Sequence, residues 1–77
     1  MARLSTRDLL HQALLRLAPR QRAVLVLRYF HELSVAETAE AMNCTEGTVK
    51  SQAARGLDNL REALARLDPV LTRQVAS

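Results

Sequence analysis

The 77 residues carry a formal net charge of +3 and are 48% apolar, yet Tyr29 and Phe30 are the only aromatic side chains. That is enough chain for one small domain, with a core that leucine, valine and alanine must build, as they do in packed helices. Two glycines, two prolines, a lone cysteine and no stretch of period-two alternation exclude a sheet protein and an internal disulfide.

An all-α, compact four-helix domain spanning residues 1–77 is therefore expected. No apolar run approaches membrane-spanning length and no signal-peptide pattern is present. A soluble, cytoplasmic chain without membrane contact follows as the expectation. Charge is distributed in blocks. Residues 1–31 hold six arginines against Asp8, residues 32–46 hold four glutamates and no base, and residues 47–77 hold five bases against three acids. A basic start, an acidic middle and a basic end suggest two surfaces with different partners, one of them polyanionic.

In chain order, Ser5 followed three residues later by Asp8 reads as a capping box. It opens a helix with Leu9, Leu10, Ala13, Leu14 and Leu17 on one side. That helix is expected to stop at Ala18, because proline disfavours helical geometry in the residue before it. Pro19 suits the first position of a second helix, where its missing N–H costs nothing. This helix is predicted to run from about Pro19 to His31, with Ala23, Val24, Leu27 and Phe30 facing the core and Arg20, Arg22 and Arg28 pointing elsewhere.

The most informative stretch is Ser34 to Arg55. Ser34 and Glu37 form a second capping box, and Val35, Ala39 and Met42 fall on one stripe. Asn43-Cys44-Thr45 is a tight polar break, with Cys44 suited to plugging the turn as a small buried residue. Thr45 reads as the N-cap of a fourth helix, whose stripe of Val49, Ala53, Leu57, Leu60, Leu64 and Leu67 steps by four or three. Asp68-Pro69 is its stop signal. Its C-terminal half is expected to pack on the first helix, and Gly56, costly in mid-helix, to permit a close helix crossing. The tail, residues 70–77, carries no assignment.

A capped helix, a short turn and a second helix with a donor-rich face make a helix-turn-helix over about residues 34–55, whose second helix enters the DNA major groove. Lys50, Ser51, Ala54 and Arg55 share the face opposite Val49 and Ala53. Arginine grips guanine bidentately, lysine does so less rigidly, and alanine suits a thymine methyl. The helix N-terminus and the Thr45 and Thr48 hydroxyls suit a phosphate. Enzymatic chemistry has no foothold. His11 and His31 lack a matched cysteine or carboxylate cluster, so no metal site is expected, and Gly47 stands alone where a phosphate-binding loop needs several glycines. No cofactor is called for.

Leu17 with Pro19, Arg20-Gln21-Arg22, Val24 through Tyr29, Leu33-Ser34, Glu37, Ala39, Gly47-Thr48-Val49-Lys50-Ser51, Arg55 and Leu60-Arg61 are arranged in a long ordered pattern. With it, residues 17–64 closely resemble region 4 of bacterial RNA polymerase sigma factors, especially the extracytoplasmic-function group. The resemblance implies recognition of the −35 promoter element in double-stranded DNA, docking on the RNA polymerase β flap, and control by an anti-sigma factor. It implies base-facing roles for Lys50, Ser51, Ala54 and Arg55, and backbone-holding roles for Arg20, Arg22, Thr48 and Gln52. Gln52 and Ala54 depart from the family, which often has a second basic residue and a bulkier one there, so the hexamer stays open. Region 2, which contacts the −10 element, has no counterpart in these residues, and this chain alone is not expected to direct transcription. Two rival readings fit parts of the pattern. A LuxR-type response-regulator output domain normally has Glu-Arg before the first stripe and a histidine near position 52, and neither is present. A protein-interaction module would use its bases only for solubility.

Overall fold

A computed structural model describes residues 5–67, which form helices α1 (Thr6–Leu15), α2 (Pro19–Leu25), α3 (Val35–Met42) and α4 (Glu46–Leu67). A π-helical segment, Val26–Phe30, continues α2 without a break. There is no strand among the described residues. The stop signal Asp68-Pro69 and the tail lie outside them.

Both capping boxes form. Asp8 N–H donates to Ser5 Oγ (3.2 Å) and Ser5 N–H to Asp8 Oδ2 (3.4 Å). At α3, Glu37 N–H donates to Ser34 Oγ (3.0 Å) and Ser34 N–H to Glu37 Oε1 (2.8 Å). Each reciprocal pair satisfies two backbone donors that the first turn would leave orphaned. The bond from the Ser34 backbone, then that from its hydroxyl, hold the Glu37 carboxyl below its ordinary value of 4.5.

Helix α1 ends at Leu15, three residues before the expected stop at Ala18. The reason is Pro19, four residues further on: Ala18 must be extended (φ −58°, ψ 143°), and the approach to it is made by tight i→i−3 bonds. Arg16 and Leu17 N–H donate to the Ala13 and Leu14 carbonyls, both at 3.1 Å. Leu17 thereby leaves the helix but stays in the core.

The π segment is the larger departure from expectation. His31 N–H bonds the Val26 carbonyl five residues back (3.0 Å), and Leu33 N–H reaches Leu27 (3.0 Å) across Glu32, which takes the left-handed conformation (φ 58°). The extra residue in the turn rotates the following side chains off the α-helical register. Phe30, expected in the core, is 55% exposed, while Leu25, absent from the expected face, is 2% exposed.

The hinge of the helix-turn-helix is a Schellman motif. Asn43 sits at φ 54° and ψ 51°, Cys44 N–H bonds the Ala39 carbonyl (2.9 Å), and Asn43 N–H bonds Glu40 (3.2 Å). Asparagine tolerates this conformation better than most residues.

Helix α4 is the common wall of the fold. Its first turns pack with Val24, Ala39, Val35, Met42 and Cys44, so Cys44 packs at the turn but is half-buried rather than buried. Its later turns pack with α1 and α2, where Leu14, Leu17 and Leu25 are buried against Leu10 and Leu60. The buried positions of α4 are Val49, Gly56 and Ala63. Leu57, placed on the stripe from spacing alone, is 38% exposed. Its neighbour Gly56 takes the contact instead: a Cβ built there would lie 3.1 Å from Leu25 Cγ and Cδ1. The glycine lets the α2 leucine lie on the α4 backbone, and that seating turns Leu57 outward.

Candidate nucleic-acid interface

The N-terminus of α4 is built locally. Thr45 Oγ1 accepts from Thr48 N–H (3.1 Å) and donates to Thr48 Oγ1 (2.9 Å). The Thr45 and Thr48 hydroxyls are thus joined by one hydrogen bond within the cap. Val49, fully buried, anchors this turn to α3 and α2.

With Val49 and Gly56 turned inward, Lys50, Ser51, Ala54 and Arg55 all lie exposed, as a helix period of 3.6 requires. From Gly47 to Gly56 the helix contains no acid. Thr48 and Gln52 are half-buried on one flank of this face. Asn59 continues that flank and donates from Nδ2 to Gln21 Oε1 of α2 (2.8 Å). Gln21 stands between Arg20, which is exposed, and Arg22, which is half-buried and donates from Nη1 to the Leu15 carbonyl at 3.4 Å. The start of α2 is therefore tied to α4 one turn beyond Arg55, roughly 6 Å further along the axis. Of the four residues expected to hold DNA backbone, Thr48 and Gln52 border the face, whereas Arg20 and Arg22 flank Gln21 at the start of α2 and Arg22 satisfies an orphaned carbonyl of α1.

The opposite flank adds Arg28 and Tyr29, to which spacing gave no part in the site. Arg28, Tyr29, Lys50, Ala53, Ala54 and Leu57 line an open groove of about 280 Å³ between the π segment and α4. Arg28 donates to the Leu33 carbonyl, and its Cζ lies 5.8 Å from the Tyr29 ring centroid. A second groove, of about 350 Å³, lies on the other side of the π segment, where Leu10, His11, Leu14, Val26 and Phe30 meet. The two adjacent aromatics thus face different grooves. The signal in the sequence was their being the only two in the chain.

Among the described residues no three His, Cys, Asp or Glu side chains gather to hold a metal ion, and no helix is long and apolar enough to cross a membrane. The face offers hydrogen-bond donors and positive charge to an anionic partner.

The sigma-70, region 4 family matches residues 7–60, which include both helices of the helix-turn-helix. The chain is similar to the RNA polymerase sigma-E factor of Streptomyces coelicolor, with 48% identity over 62 residues, covering 80% of this chain and 35% of that protein. It is equally similar to the sigma-E factor of Streptomyces antibioticus, with 48% identity over 62 residues and 34% of that protein covered. With the ECF RNA polymerase sigma factor SigW of Bacillus subtilis it shares 41% identity over 58 residues, covering 75% of this chain and 31% of the relative. It spans about a third of the length of these relatives. A match over 7–60, carrying the capped turn and the donor-rich face of α4, means that the chain belongs to the sigma-70 region 4 family.

Proposed function

We propose that this chain is the −35-reading domain of an alternative sigma factor of the extracytoplasmic-function group, which lays α4 in the promoter major groove while docked on the RNA polymerase β flap. The observation that carries the reading is the split of the Gly47–Gly56 turns of α4 into a buried stripe and an acid-free, donor-bearing face, within a chain of the sigma-70 region 4 family. Arg55 and Lys50 are assigned to guanine edges, Ala54 to a thymine methyl and Ser51 to either kind of base. Arg20, Arg22, Thr48 and Gln52 are assigned to phosphates.

The geometry supports that division. Gln52 and Asn59 lie roughly 10 Å apart along α4, close to the ~12 Å width of the major groove. The Thr48–Gln52 flank and the start of α2, tied to Asn59, are thus separated by about one groove width along the same side of α4. The Thr48 hydroxyl, at the N-terminus of α4, suits a phosphate oxygen. The groove beside Leu10, Leu14 and Phe30 supports protein docking on the face away from α4, where exposed aromatic and aliphatic surface needs a cover. We assign the β flap to it. An anti-sigma factor that covers the domain completes the proposal. The family match removes support from the response-regulator reading.

Selection of the purified chain on a random duplex library, at two salt concentrations and with or without a β-flap fragment, tests this reading. The expected result is a short asymmetric motif that the flap sharpens. A palindromic motif indifferent to the flap, or no enrichment at either salt, would refute it.

A further inference from the structure

We infer that Tyr29 is a specificity-determining residue of DNA reading: its ring, held at the edge of α4 beside Lys50 and Ala54, packs on a thymine methyl at one end of the recognised site. The inference rests on the promoter-reading proposal and names a contact that reading does not contain.

Three observations carry it. Tyr29 is 53% exposed, an unusual condition for one of only two aromatic rings in a small domain. The groove it lines opens onto the base-facing side of α4, since Lys50 and Ala54 belong to both. Its charged lining residues are Arg28 and Lys50, with no acid, so the occupant favoured by charge is an anionic strand rather than an acidic face's basic partner. The rest of the lining, Val35, Val49, Ala53, Ala54 and Leu57, is apolar, which suits a methyl group.

The π segment supplies the orientation. It turns Phe30 toward α1 and leaves Tyr29 facing α4, although the two are adjacent in the chain. Arg28, tied to the Leu33 carbonyl, lies over the Tyr29 ring and holds it by a cation–π contact. A ring already fixed loses little entropy when it meets DNA. Bulged helical turns of this kind recur at functional sites.

The experiment uses the 77-residue chain and its Tyr29→Ala and Tyr29→Phe variants. Each is selected on the random duplex library, then titrated against the best wild-type site. At each thymine near the ends of that site, deoxyuridine is substituted to remove only the methyl group. At one terminal position, the methyl deletion is expected to weaken wild-type binding by about fourfold, the value of one buried methyl-sized group. Tyr29→Phe should lose as much on deletion of that methyl, and Tyr29→Ala should lose nothing. Tyr29→Ala should also relax base preference at that position alone, with its salt dependence unchanged. Identical motifs and identical methyl effects for wild type and Tyr29→Ala overturn the inference while leaving the promoter reading intact. A loss confined to affinity for a protein partner, with DNA selection unchanged, overturns it in favour of protein docking. A wild-type chain that selects no motif overturns both.

Discussion

The seating of Leu25 on Gly56 makes a prediction whose sign is contested by two effects of similar size. Replacing a mid-helix glycine by alanine stabilises a helix by about 1 kcal/mol through backbone entropy. Here the new Cβ would lie 3.1 Å from both Leu25 Cγ and Cδ1, so two atoms of one side chain must give way together by a few tenths of an ångström. Leu25 is 2% exposed and packs with Leu14 and Leu17, which leaves it nowhere to go. Overpacking of this kind costs about 1–3 kcal/mol. Gly56→Ala is therefore expected to destabilise the domain by about 1 kcal/mol net, which lowers the Tm by about 4–8 °C for a domain of this size. Urea unfolding followed by far-ultraviolet circular dichroism reads the change. The informative comparison is the same substitution in a Leu25→Ala background, where the clash is gone and Gly56→Ala should stabilise by about 1 kcal/mol. Because Leu25→Ala itself costs about 2–5 kcal/mol, all four proteins are measured with a stabilising osmolyte present. The reversal of sign between backgrounds is the signature of direct contact. A Gly56→Ala protein more stable than the parent, or an equal cost in both backgrounds, would refute the account of the α2–α4 crossing.

Glu32 adopts the left-handed conformation with φ 58°, so Glu32→Gly should raise stability by about 1 kcal/mol in the same urea assay. The Glu37 carboxyl has its pKa lowered by folding, so its contribution is present above 4.5 and is lost as pH falls through the depressed value. The stability difference between the parent and Glu37→Gln should therefore be largest near neutrality and shrink below that value, as urea midpoints at neutral and acid pH would report. Arg55→Ala should cost about 1–3 kcal/mol on the preferred site and relax preference at one position, whereas Arg20→Ala should weaken binding to every duplex alike. A grip of four to six phosphates should give a log–log salt slope of about −4 to −5, and Arg20→Ala should make it shallower by about one, as fluorescence anisotropy titrations would show.

Much of the interface was legible because its parts are local. The Ser34–Glu37 box, the Asn43 turn and the Thr45 cap each close through hydrogen bonds spanning three to five residues, and each forms as the residue types demand. Once Val49 is inward, the helical period alone turns Lys50, Ser51, Ala54 and Arg55 outward. The Gln21–Asn59 bond spans 38 positions and has no local signature. Neither has the Tyr29 groove, which exists only because the π segment and α4 lie side by side.

By itself, then, the sequence determined the helical class, the caps, the proline-led start of α2 and the polar face of α4. Tertiary structure decided the register. Phe30 and Leu57 fit an uninterrupted 3.6-residue stripe as well as Leu25 and Gly56 fit the observed core, and periodicity cannot choose between them. The choice falls to packing: a leucine settled on a glycine backbone brings two helices closer than any side-chain contact would, and the turn at Val26–Phe30 takes up the difference.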